Sequence, residues 1–192
     1  MKGHSIINKD ICASCRGKCC KATGCGLMPC DIVDKTPAGI QRLLDSGRYS
    51  ISFFLDFIDM KLEVIPTMMS REINSSRIQF GFIHNQCSLL GPKGCSLSDD
   101  ERPTQGLLFV PQMEANCELQ LNSQTVVTEW RKLSPLMETV LIIETGSNSL
   151  NLFQQSLLQT MNHLETKLSE GIILNSSELS ALELVMRVLP FI

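Results

Sequence analysis

No stretch of this 192-residue chain reaches the roughly 18 consecutive apolar residues that a membrane-spanning helix requires. The start, MKGHSIINKDIC, lacks an apolar core of about 7–15 residues and an A-x-A cleavage pattern, so the sequence predicts no signal peptide and a cytoplasmic protein. Charge of one sign is also scarce. A net charge of −3 gives no general pull toward nucleic acid or an anionic membrane. There are no internal repeats, low-complexity tracts or long linkers. No G-x-G-x-x-G loop follows a predicted strand, and no serine–histidine constellation points to a hydrolase. The length fits one domain, or a domain with an extension, and suffices to bury a core without help from disulfides.

Cysteine is what the chain has in excess. Six of its nine cysteines fall between positions 12 and 30, as Cys12-x2-Cys15-x3-Cys19-Cys20-x4-Cys25-x4-Cys30. Cys87 and Cys95 flank the turn Gly91-Pro92-Lys93-Gly94, and Cys117 follows later. Thiolates this close can hold a soft cation, act as redox thiols, or pair as disulfides. In a reducing compartment, clustered cysteines point first to metal and second to thiol chemistry. A C-x2-C pair such as Cys12/Cys15 sets two sulfurs at the separation one tetrahedral ion needs, and Cys19 can add a third. The adjacent Cys19 and Cys20 point to opposite sides in extended backbone, so one ligates and the other packs, or the two serve different ions. Cys87 and Cys95, on the arms of a predicted hairpin, supply the distant half of a discontinuous site. Arg16, Lys18 and Lys21 either offset the negative charge of a thiolate site or keep the loop solvated.

Familiar alternatives do not match. A radical S-adenosylmethionine triad reads C-x3-C-x2-C, the reverse of the spacing here. The bacterial ferredoxin run needs C-x2-C-x2-C-x3-C-P. A thioredoxin-type C-x-x-C opens a helix after a strand, a context Cys12 lacks.

Residues 1–30 show no hydrophobic periodicity and are predicted to form a metal-shaped loop. Thr36, Pro37 and Gly47 bracket a short helix with Ile40, Leu43 and Leu44 on its apolar face. Segment 51–69 is β-branched and aromatic and predicts strands, as do 78–83 and 87–97, the last folded on itself at its glycines. The remainder predicts helices. Val126, Trp130, Leu133, Met137 and Val140 form one stripe, with Pro135 marking a kink or restart. Leu150, Phe153, Leu157, Met161, Leu164 and Leu168 form a second, ending near Gly171. A capping box at Asn175–Glu178 opens a third, with Leu179, Leu182, Val185 and Leu189. The expected fold is α+β, mostly α. A metal-knuckle loop and short β-hairpins occupy the N-terminal half, and the C-terminal half is helical. Residues 1–117 form the cysteine-cluster module and 118–192 a helical extension packed on it.

Cys12-x2-Cys15-x3-Cys19-Cys20, then Cys87-Ser-Leu-Leu-Gly-Pro-Lys-Gly-Cys95, then Arg102-Pro103, resembles the YkgJ-like cysteine-cluster family over roughly residues 11–111. That family is described as zinc- or iron-chelating and includes flagellin lysine N-methylases. The resemblance implies that Cys12, Cys15, Cys19, Cys20, Cys87 and Cys95 are metal ligands and that Arg102 and Pro103 stand at the family's R-P-x-x-C. The final cysteine of that motif is replaced by Gly106, and Cys117, Cys25, Cys30 or His84 are the candidates to stand in for it. The expected function is binding of zinc or an iron–sulfur cluster in a structural or regulatory role, with a protein partner and with neither nucleic acid nor membrane. The alternatives are a metalloenzyme in group transfer, such as S-adenosylmethionine-dependent lysine methylation, and a thiol redox or metal-handling protein.

Overall fold

A computed structural model describes residues 17, 20–21, 24–59, 61–80, 86–92, 94–111, 117–119 and 121–191. The centre of the fold is a long antiparallel hairpin, β1 (Tyr49–Ile58) and β2 (Lys61–Ser70), in register from Tyr49↔Ser70 to Ile58↔Lys61. Its turn includes Asp59, a non-glycine residue at φ 48°. Two smaller antiparallel pairs follow. These are β3 (Leu90–Gly91) with β4 (Gly94–Cys95), and β5 (Phe109–Pro111) with β6 (Cys117–Leu119).

The helices are α1 (Pro37–Asp45), the single-turn α2 (Thr104–Leu107), α3 (Ser123–Thr145), α4 (Ser149–Ser169) and α5 (Ser176–Val188). The class is therefore α+β and mostly helical. No described helix is long and apolar enough to cross a membrane.

Helix starts follow their capping chemistry. The Thr36 hydroxyl accepts the Gly39 N–H at 3.1 Å, with Pro37 in the first turn where its missing N–H costs nothing. Gly47 follows the helix at φ 72°. At α5 the Asn175 side chain accepts the Glu178 N–H at 3.0 Å, and the Glu178 carboxylate accepts the Asn175 N–H at 3.0 Å.

The hairpin separates two apolar clusters. The register pairs Leu55↔Val64 and Phe57↔Leu62 lie on one face and pack with Phe153, Leu157 and Leu164 of α4 and with Val185 and Val188 of α5. Phe54 and Ile65, a pair on the other face, join Ile40 and Leu44 of α1 and Trp130, Met137 and Leu141 of α3. On that face Arg131 of α3 bonds both members of the cross-strand acidic pair, Asp56 at 2.8 Å and Glu63 at 2.6 Å. It thereby offsets two like charges placed directly opposite each other.

Several expectations need correction. Helix α3 runs unbroken through Pro135, with no restart. Among the described residues of 78–83 there is no strand, only a single parallel bridge of Ile78 to Ile51. The inward faces of α4 and α5 keep the centres of the expected stripes, Phe153, Leu157, Leu164 and Val185, but not their ends. Leu150, Leu168, Leu179 and Leu189 are exposed, whereas Ser156, Thr160, Ala181 and Val188 are buried. Each helix presents to the hairpin whichever residues its packing angle brings there, small polar ones included.

Candidate metal centre

The end of β2 organises the candidate site. Along its outer edge runs the N-terminal loop. The Leu27 N–H donates to the Met68 carbonyl at 2.8 Å, and the Ser70 N–H donates to the Cys25 carbonyl at 2.8 Å, with Gly26 bridged to Met69 between them. A Cβ at Gly24 would sit 2.4 Å from the Ser70 carbonyl oxygen, so only glycine permits this approach.

The loop is pinned from the other side as well. The Trp130 Nε1–H donates to the Leu27 carbonyl at 3.0 Å. Asp31 accepts the Thr104 N–H at 2.9 Å and the Thr104 hydroxyl at 2.6 Å.

Beyond Ser70 the chain pairs with the segment that carries Cys87. The Ile73 N–H donates to Gln86 at 2.7 Å, the Ser88 N–H donates to Arg71 at 2.8 Å, and Glu72 is bridged to Cys87. The Cys87 N–H donates to the Cys20 carbonyl at 2.7 Å, which joins the cysteine-rich loop to this distant segment.

Cys87 is buried, and its sulfur receives the Leu89 N–H and the Ser70 hydroxyl. Burial pushes its thiol up from the ordinary value, and the neighbouring Cys95 and Glu72 add to the rise. Cys95 lies in β4, paired in register with Leu90. Cys87 and Cys95 thus do not face each other across the ladder: Cys87 precedes the hairpin arm, and a turn closed by the Leu90 N–H on its carbonyl at 3.1 Å leads into β3.

Cys25 belongs to the same group. Its Sγ lies 3.3 Å from the Ser70 hydroxyl. Burial pushes its thiol up from 9.0 to about 12, with smaller contributions from Cys87 and Cys95. The Cys25 thiol in turn raises the Tyr49 hydroxyl, for which burial is the larger cause. Cys30 stands apart: it is exposed, and its sulfur faces the Thr104 hydroxyl at 3.8 Å.

Of the predicted ligands, the structure therefore brings Cys87, Cys95 and Cys25 into one neighbourhood and ties Cys20 to it through the backbone. Cys12, Cys15, Cys19 and His84 lie outside the described residues, as do Arg16 and Lys18 and the side chain of Cys117. Lys21 is exposed, its N–H donating to the Gly17 carbonyl at 3.1 Å. Arg102, from the R-P pair, has a structural task. Its Nε donates to the Leu97 carbonyl at 3.3 Å, and its guanidinium lies 3.8 Å from Asp99.

The donor chemistry suits a soft cation. Burial raises the thiols of Cys25 and Cys87, nearby cysteine charge adds to the rise at each, and hydroxyl and amide donors reach both sulfurs. A bound cation supplies the positive charge that ionisation of such a cluster requires. Among the described residues alone, no three histidine, cysteine, aspartate or glutamate side chains stand close enough to hold an ion. Cysteine spacing gave no hint of Ser70, Tyr49 or Glu72. The one available signal was the pair of glycines flanking Cys25, which marks close backbone approach.

Three comparisons with known proteins, against family models, curated proteins and solved structures, give no match.

Proposed function

We propose that the chain binds a soft metal, as zinc or within an iron–sulfur cluster, through thiolates of its cysteine-rich loop together with Cys87 and Cys95. In this reading Cys12, Cys15, Cys19 and Cys20 form the near half of the site. The bound metal fixes the loop's shape in a structural or regulatory role, presenting an interaction module to a protein partner in a reducing compartment.

The observation that carries the reading is the setting of Cys87. Its sulfur is buried, accepts the N–H of a residue two positions on, lies beside a second cysteine, and sits on a segment bonded to Cys20. Amide and hydroxyl donors partly offset the larger raising effect of burial on this sulfur, and a bound cation would supply the charge that holds it as the thiolate.

Two competing readings have less behind them. A nucleophilic cysteine has a lowered pKa, whereas burial raises both Cys25 and Cys87, which sets thiol exchange behind metal binding. The cavity beside the loop, between Thr67, Gln105 and Trp130, measures about 220 Å³. That is smaller than the roughly 300–1,000 Å³ of most small-molecule sites, which sets S-adenosylmethionine-dependent group transfer behind as well.

Elemental analysis of protein purified without oxygen tests the proposal. Stoichiometric zinc, or iron with visible colour, is expected. Less than about half an equivalent of any metal would sink it.

A further inference from the structure

We infer that Cys25 is a ligand of the thiol site around Cys87 and Cys95, and that its sulfur occupies the space a side chain at position 106 would fill. This rests on the metal-binding reading above and adds to it a donor whose spacing belongs to no recognised ligand pattern.

Geometry is the ground for it. The backbone of Cys25 is fixed against the end of β2 by the Ser70 N–H, and its thiol is fixed by the Ser70 hydroxyl at 3.3 Å. The same hydroxyl reaches the Cys87 sulfur, so Ser70 contacts both thiols. Gly106, in α2, also approaches Cys25. A Cβ built there lies 3.0 Å from the Cys25 Sγ and 3.5 Å from its Cβ, closer to the sulfur than ordinary van der Waals contact. A thiol borne by residue 106 would therefore reach the place where the Cys25 thiol now is. Cys25 also shares the Ser70 hydroxyl with Cys87, and the charges of Cys87 and Cys95 act on its thiol. Cys30 points instead at Thr104 from an exposed position.

Relocating the thiol tests the inference. Full-length wild type, Cys25→Ser, Cys30→Ser and the double variant Cys25→Ser/Gly106→Cys would be compared for Zn²⁺ affinity by competition against a chromophoric chelator. Co²⁺ substitution, in which the thiolate-to-metal absorption grows with the number of bound sulfurs, would count the ligands. Cys25→Ser should weaken Zn²⁺ binding by more than the roughly 10–100-fold typical of losing an outer-shell partner, and should lose one thiolate's share of the Co²⁺ absorption. Cys30→Ser should match wild type. The double variant should recover both signals, and it decides the matter even if Cys25→Ser alone folds poorly. Unchanged Zn²⁺ affinity and Co²⁺ absorption in Cys25→Ser overturn the Cys25 assignment while leaving metal binding by the other cysteines intact. So does a folded double variant that recovers neither signal. Wild type that binds no metal overturns both.

Discussion

Ser70 holds Cys25 at two points: its N–H donates to the Cys25 carbonyl at 2.8 Å, and its hydroxyl lies 3.3 Å from the Cys25 sulfur. Ser70 is itself completely buried, and its hydroxyl also serves Cys87. One small side chain thus contacts two thiols from remote parts of the chain.

Ser70→Ala should accordingly leave the fold in place and weaken metal binding. Loss of the hydroxyl costs about 1 kcal/mol of stability by the usual worth of one hydrogen bond. Zn²⁺ affinity should fall by roughly 10–100-fold, as for other residues that orient ligands. Competition titration measures the second effect, and an affinity equal to wild type would remove Ser70 from the site.

Gly106→Ala places a methyl group 3.0 Å from the Cys25 sulfur. Overpacking of this kind costs about 1–3 kcal/mol. In a Cys25→Ala background the obstructing sulfur is gone and most of the penalty should vanish. Urea unfolding of the two single variants and the double variant yields the coupling directly. Additive effects would mean that the contact carries no energy.

The chain has a single tryptophan, and its Nε1–H holds the loop at Leu27. Trp130→Phe removes that donor from a buried carbonyl, which retains only a longer bond of 3.4 Å from the Gln105 amide. The expected loss is about 1 kcal/mol or somewhat more. In wild type the same indole serves as a probe. Its fluorescence should shift if loop 24–32 leaves β2 on metal removal, and an unchanged spectrum would show that the loop stays docked without metal.

Between α4 and α5, Glu178 is nearly inaccessible and sits between Lys167 at 2.6 Å, the Asn175 N–H at 3.0 Å and His163 at 3.1 Å. The Lys167 hydrogen bond first, then Asn175 and His163, hold its carboxyl near about 2, below the ordinary 4.5. A depressed carboxylate contributes stability that is complete above its unfolded value and is lost as pH falls toward its folded one. The melting temperature should therefore decline between pH 4.5 and about 2. Glu178→Gln should start lower at neutral pH and fall less steeply over that window. Parallel slopes would show that Glu178 does not govern the acid transition.

Local signals were the legible part of this fold. Thr36, Pro37 and Gly47 bracket α1 as their chemistry requires, the box at Asn175–Glu178 opens α5, and the glycines at 91 and 94 mark the small hairpin. Each depends on neighbours a few residues away. The long hairpin had no such marker, because its turn includes Asp59 in left-handed backbone rather than a glycine. The ends of the stripes expected on α4 and α5 were misjudged for a related reason. Which side of an amphipathic helix turns inward depends on the hairpin it meets, and the inward side here includes Ser156, Thr160 and Ala181. Within the site, spacing singled out Cys87 and Cys95 but left Cys25 as a spare. Its neighbours Ser70, Cys87, Cys95 and Gly106 all arrive from 45 or more residues further along the chain.

The strip Cys25–Leu27 has one more effect, on the behaviour of the molecule in a crowd. By pairing with Met68 and Ser70 it covers one end of the outer margin of β2, while Ile51 on the other margin is occupied by the Arg77–Gln79 backbone. An uncovered strand margin is a template on which a second chain can build. The segment that carries Cys25 therefore also occupies the Met68–Ser70 backbone, and a second strand could pair there only after displacing it.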